Sequence, residues 1–339
     1  MFCIRGDALR NSILWKQTFI VLASASSVAL LTSASVFAQS AASVVQSEIA
    51  AQGYYSAPPP AGFNPLTAPN TELQQYGFPS RPTSPGSLAI WTKMMAHAKT
   101  YVPPDPTAGS SFSSASSGGW AGYVNQSPNN GSVYFNGTWA SWTVPTVSGL
   151  SEWPSSEYKD APQVGIWTGL GGSPTDPTGY VLQAGTTSIA TSTPEYRFWT
   201  EDVPNAPVYE GPVIRPGDTA YVTISFIGPG TDYSNNEAVF FLEDYTTDQY
   251  TSIEVAAPYL SEWSADYVVE PAGNPKTLPN FTSTSFSGCG LEYDTASNPA
   301  DGNNTDANFD QLNYTQMNNA LMTTGAVNTG TDGFTVTGP

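Results

Sequence analysis

Beyond its first hundred residues this sequence predicts an all-β fold of the antiparallel sandwich or barrel type, on three observations. From Trp120 onward the chain is a succession of short runs of Val, Ile, Thr, Tyr, Phe and Trp, punctuated by Gly, Pro, Asn and Asp. Helical periodicity is nearly absent from that stretch. About 220 residues remain after the lead, enough for one large all-β domain and short of two.

The elements before the domain read differently. Residues 1–38 carry a basic start (Arg5, Arg10, Lys16), an apolar stretch from Phe19 to Leu31 and the small-residue ending ASVFA at Ala34–Ala38. That pattern predicts a signal peptide cleaved after Ala38. The apolar run is short for a membrane span and is diluted by Ser24, Ser26 and Ser27, so export to a secreted, extracellular or periplasmic location is the expectation. Residues 39–118 form a propeptide-like lead. It holds a proline-rich run (Ala57–Asn70), a helix near Ser87–Thr100 with Leu88, Trp91 and Met95 on one face, and a Ser/Gly linker starting at Ala108. A surface tether is the alternative for this lead.

The domain proper spans 119–339. Its strand runs include Trp120–Val124, Tyr134–Pro145, Val164–Gly172, Tyr180–Thr186, Tyr196–Glu201, Thr219–Ile227, Ala238–Asp244 and Asp266–Glu270. Two of them place polar residues where a sandwich wants apolar ones. In YVLQAGT, Gln183 shares a face with Val181 while Leu182 points the other way. In ADYVVEP, Asp266, Val268 and Glu270 share one face, and Tyr267 and Val269 the other.

Charge and residue usage narrow the chemistry. The formal net charge is −18, and from Trp120 onward the only cations are Lys159, Arg197, Arg215 and Lys276. Such a chain cannot neutralise phosphates, which argues against nucleic acid and anionic membranes as partners. Few cations also means little self-repulsion once carboxylates are protonated, which suits an acidic habitat. The single histidine, His97, lies in the lead, so a Ser-His-Asp or Cys-His arrangement within the domain is excluded, as is a His-containing zinc site. Cys3 falls in the signal and leaves Cys289 alone, a small buried residue rather than half of a disulfide. The Asn-rich segment Asp301–Asn319 lacks the spacing of a calcium loop, and no metal or other cofactor is expected. Asn125, Asn130, Asn136, Asn280, Asn303 and Asn313 fit the glycosylation triplet, which marks them as surface sites only if the host glycosylates.

An amide and a carboxylate suffice for peptide hydrolysis in acid. The carboxylate takes a proton from the attacking water and returns it to the leaving group, while the amide donates to the oxyanion of the tetrahedral intermediate.

GWAGYV, GTWASWTVP, WTGLGG, YVLQAG, FWTEDVP and ADYVVE, in this order, resemble the eqolisins, the glutamic peptidases that act at acid pH. The resemblance spans nearly everything from Gly119 and includes the closing FTVT at Phe334–Thr337. It implies a two-sheet antiparallel sandwich of the concanavalin A-like jelly-roll kind, whose concave face holds a polypeptide substrate. By motif position it implies Gln183 and Glu270 as the catalytic pair, with Trp120, Trp167, Trp199 and Glu201 along the substrate groove. Asp266 stands where the family has an earlier acid.

Two departures accompany the match. Gly171 stands where the family often has Asp, and Asp202 and Val203 replace aromatic residues. Asp266 and Glu270 lie about 13 Å apart along an extended strand, so only one can serve a given scissile bond. Motif position and the longer side chain favour Glu270, read alternatively as a solvated strand end beside Pro271. Glu262 is a third candidate. Tryptophans in sandwiches also serve as packing residues, which is the other reading of the three indoles. The expectation is a monomeric secreted acid endopeptidase; the alternative is a weakened or inactive relative that binds peptides or glycans in the same groove.

Overall fold

The computed structural model describes residues 53–55, 57–109, 119–127, 133–173, 176, 178–226, 237–257, 261–273, 277–295 and 305–339. The predicted signal peptide and most of the Ser/Gly linker lie outside these residues. No helix among the described residues is long and apolar enough to cross a membrane.

The strands are β1 (Gly53–Tyr55), β2 (Thr100–Tyr101), β3 (Thr107–Ala108), β4 (Ala121–Gln126), β5 (Tyr134–Thr143), β6 (Gln163–Gly171), β7 (Val181–Ile189), β8 (Glu195–Asp202), β9 (Val208–Tyr209), β10 (Thr219–Phe226), β11 (Glu237–Asp244), β12 (Gln249–Ala256), β13 (Ser264–Ala272), β14 (Thr284–Asp294), β15 (Thr305–Asn308), β16 (Tyr314–Met317), β17 (Thr323–Thr324) and β18 (Phe334–Thr337). They form two sheets. One runs β1-β12-β11-β10-β5-β14-β18-β17, with β15 on β14 and β2 on β12; the other runs β16-β4-β13-β6-β7-β8-β9-β3. All pairings are antiparallel except that of β2 with β12. The expected two-sheet antiparallel sandwich is thus the observed architecture.

The main core lies between the sheets. Ile166, Leu170, Leu182, Ala184, Tyr267 and Val269 from the second sheet meet Ala140, Trp142, Val222, Ile224, Phe240 and Leu242 from the first. Because side chains alternate along a strand, the residues between these positions turn to the opposite face of the second sheet. A separate cluster forms there from Trp120, Val124, Trp167, Val181, Trp199 and Val268. Gln183, Asp266 and Glu270 share the parity of this cluster, as the alternation in the sequence predicts.

The lead packs on the other side of the molecule. The predicted helix is present as Pro85–His97, capped by the Ser84 hydroxyl, which accepts from Ser87 N, with Pro85 at its first position. Its Trp91, Met94 and Met95 join Leu73 and Phe78 over Trp139, Tyr221, Phe241 and Tyr250 on the outer face of the first sheet. His97 and Lys99 both bind the Asp248 carboxylate, at 2.7 and 2.8 Å. The lead then crosses to the far edge of the second sheet, where β3 pairs with β9. The described lead is therefore part of the folded body and covers the sheet opposite the polar face.

Two expectations are corrected. Glu270 is not a solvated strand end: β13 continues through Pro271, which pairs with Val164 of β6, to Ala272. Pairing with β4 stops at Val269, so the missing proline N–H is not needed on that side. Asn125 and Asn136 are buried rather than surface sites, because both fall on strands covered by the body of the domain, and Asn125 Nδ2 donates to the carbonyls of Phe309 and Asn313. Cys289 is fully buried in the core, as expected.

Candidate active site

Cross-strand register sorts the polar face into rows. One row reads Val124, Asp266, Gly169, Gln183, Glu201 across β4, β13, β6, β7 and β8. The next reads Gly122, Val268, Trp167, Gly185, Trp199. The third holds Glu270, Gly165, Thr187 and Arg197.

Glu270, fully buried, is gripped by two indoles. Trp120 Nε1 donates to Oε2 at 3.1 Å and Trp167 Nε1 to Oε1 at 3.0 Å. The two rings meet edge to face, with centroids 5.0 Å apart. Such N–H bonds strengthen when the acceptor is charged and favour the ionised carboxylate over the acid. All three predicted tryptophans are buried, and two of them direct their N–H groups to Glu270 rather than to an open surface.

Gln183 is held from one side. Its Nε2 donates to Glu201 Oε2 at 2.5 Å, while its buried Oε1 has no partner among the described residues. β6 separates Gln183 from Glu270, and the two are offset by two rows, with Trp167 in the row between them.

Asp266 has the opposite environment to Glu270. It is fully buried; its Oδ2 accepts only from Ser264 Oγ, at 3.4 Å, and its Oδ1 has no partner among the described residues. Burial pushes this carboxyl well above the ordinary aspartate range; the Ser264 contact opposes that, and the nearby Asp176 charge adds to it. Two carboxyls on one strand face thus sit in different surroundings, Glu270 bonded by two indole N–H groups and Asp266 by one long hydroxyl contact. Glu262, the third candidate, lies in the loop before β13. Its burial, with the Asp294 charge second, pushes it up to about 7. No group of three or more His, Cys, Asp or Glu that could hold a metal ion occurs among the described residues.

The peptidase A4 family model matches residues 118–337, which include every strand from β4 onward. The chain belongs to the peptidase A4 family. Two crystal structures of scytalido-glutamic peptidase are similar to it, one with a transition-state analog inhibitor and one with a peptide-based transition-state analog. Each covers 66% of this chain and 98% of its own, at 19% and 16% identity and TM-scores of 0.48 and 0.47. No curated protein matches.

In this A4 peptidase the glycine at 171 has a structural reason. Its φ is +82°, and a Cβ there would lie 2.5 Å from Tyr180 O and 2.6 Å from Ser261 Cβ, so no aspartate fits. A carboxylate reaches the neighbourhood from Asp176 instead. Its Oδ2 accepts from Gly172 N at 2.9 Å and from Ser261 Oγ, and its Oδ1 from Thr178 N and Oγ1 at 2.8 and 2.6 Å. Sequence reasoning missed Asp176. The signal was the turn-forming PTDPTG, which reads as a loop and says nothing of what its carboxylate reaches.

Proposed function

We propose that this A4 peptidase is a secreted acid endopeptidase in which Glu270 is the general base and Gln183 the oxyanion donor. The observation that carries the reading is the pair of indole N–H groups that donate to the Glu270 carboxyl inside a buried face. In acid, a base must stay ionised where ordinary carboxylates take up protons, and donated hydrogen bonds do that.

The steps follow from the placement. Glu270 takes a proton from water as the water oxygen attacks the scissile carbonyl carbon. The carbonyl oxygen becomes an oxyanion and accepts the Gln183 Nε2–H that is not bound to Glu201. The tetrahedral intermediate collapses, the C–N bond breaks, and Glu270 returns the proton to the leaving nitrogen. Trp120 and Trp167 act through Glu270, and Glu201 acts through Gln183. Trp199 and Glu201 lie on the same face and are proposed to touch the peptide. Peptide access requires the side chains around the pair to move, because Gln183 is 2% and Glu270 0% exposed.

Casein digestion at pH 2–4 tests the reading. Glu270→Ala and Gln183→Ala should each abolish cleavage, and an active Glu270→Ala enzyme removes the assignment. A folded parent that binds peptide but never cleaves it would favour the binding protein, for which Gly171 and the non-aromatic Asp202 and Val203 are the supporting observations. The lead up to residue 118 is proposed as a propeptide. Mass measurement of the secreted protein after acid exposure should show loss of a piece ending near Ser111–Gly119, and an uncut but active chain would refute that.

A further inference from the structure

Glu243 is a buried acid that the peptide chemistry leaves unused. It shares the outer face of the first sheet with Phe241 on β11, and is paired across the strands with Tyr221 of β10 and Tyr250 of β12. It is 0% exposed, and neither of its carboxyl oxygens has a partner among the described residues. The lead covers its neighbours. Trp91, Met94, Met95 and Ala98 cluster with Tyr221, Phe241 and Tyr250. The Phe78 ring packs on Phe241 and Tyr250, with centroids 5.5 and 5.1 Å apart, and the His97 ring stacks on Tyr245 at 4.9 Å. Ser87 Oγ of the lead and Trp139 Nε1 of the sheet also lack partners, beside a cavity of about 20 Å³. The seat of the lead is therefore apolar and incompletely hydrogen-bonded, and a charge placed there is strongly unfavourable.

The groups around Glu243 supply no compensating cation. They are Tyr221, Tyr250, Asp244 on its own strand, and Tyr245 and Asp248 from the β11–β12 turn. The basic groups of the lead are engaged with two of these: Lys93 lies 5.7 Å from the Tyr245 ring centroid, and His97 and Lys99 bind Asp248. Burial, with the Asp248 and Asp244 charges after it, pushes Glu243 well above the ordinary glutamate range. We propose that Glu243 is an acid-dependent latch for the lead: as the neutral acid it lets residues 70–99 seat on the outer face of the first sheet, and on ionising it opens that segment. Covered, Glu243 keeps a proton that the open form releases. Its contribution is complete below about pH 4.5 and is lost as pH rises toward the raised value. The Asp248 pairs act in the opposite direction, lost only as pH falls below the ordinary aspartate value of 3.8, but they are half-exposed and weak. The lead thus tightens on passing from neutral surroundings into acid, whether or not the chain behind it is cut. Nothing in this latch depends on the peptidase reading.

Hydrogen exchange of the full chain between pH 5 and pH 7, normalised to intrinsic amide rates, measures the opening. In the parent, protection of the Leu88–Ala98 amides should fall by about tenfold per pH unit. Glu243→Gln keeps the shape without the charge. It should make those amides independent of pH, while the β6 and β7 amides keep a pH dependence that arises from other buried acids. A parent slope retained in Glu243→Gln overturns the proposal. So does a parent in which the lead exchanges with the same opening constant as β6 and β7, because the segment then has no opening of its own. If Glu243→Gln fails to fold, Glu243→Leu decides by the same criterion.

Discussion

Raising the pH from 4 to 7.5 should progressively destabilise this protein, and the size of the effect follows from two buried acids. Glu210 and Glu262 are each 8% exposed. Burial pushes Glu210 up to about 7 against the hydroxyl bond from Thr200, and burial with the Asp294 charge does the same for Glu262. Each folded-state value lies above the ordinary value of 4.5, so the folded chain keeps a proton that the unfolded chain releases. The stabilisation is complete below about pH 4.5 and is lost as pH rises through about 7. Holding a proton over that interval is worth about 3 kcal/mol per group. The two together approach the 5–15 kcal/mol or so that stabilises a typical domain. Asp202, also pushed up to about 7 by burial, and the growing self-repulsion of a chain with formal charge −18 act in the same direction. Urea unfolding at pH 4, 5.5 and 7.5 at fixed ionic strength measures it. Stability should fall by about 3 kcal/mol or more, and Glu210→Gln should match the parent at pH 4 and exceed it by about 3 kcal/mol at pH 7.5. Flat or rising stability across that window would refute the reasoning.

Trp167→Phe removes the N–H that Glu270 Oε1 accepts while keeping a ring in the same site. Loss of a hydrogen bond to a charged group costs about 1.5–3 kcal/mol, so kcat/KM should drop about tenfold to a hundredfold with the circular dichroism spectrum unchanged. Gly171→Asp, which restores the residue common at that motif position, should destabilise the fold by about 2 kcal/mol or more in urea, because of the positive φ and the contacts to Tyr180 O and Ser261. A gain of activity or stability there would show that the loop can yield.

Much of the site's placement was legible in local pattern. Alternation put Gln183 with Val181, and Glu270 with Asp266, on one face, and the structure keeps both pairs there. The helix of the lead was legible from its Leu88, Trp91 and Met95 spacing, to within a few residues at each end. Strand periodicity carries this information because it is set by neighbours two residues away. What covers a face is set by residues a hundred or more positions distant. The burial of Asn125 and Asn136 and the strand continuing past Pro271 were therefore invisible.

The sequence by itself determined an all-β domain after a helical lead, a histidine-free carboxylate and amide chemistry, and the candidates Gln183, Asp266 and Glu270. Only the tertiary structure decided how those acids differ. Register across β13, β6 and β7 aligned Asp266 with Gln183 through a glycine, and brought Trp120 and Trp167, 150 and 103 residues distant, to the Glu270 carboxylate. An acid's protonation depends on the donors and the dielectric around it, and those are assembled by strand pairing rather than written beside it in the chain.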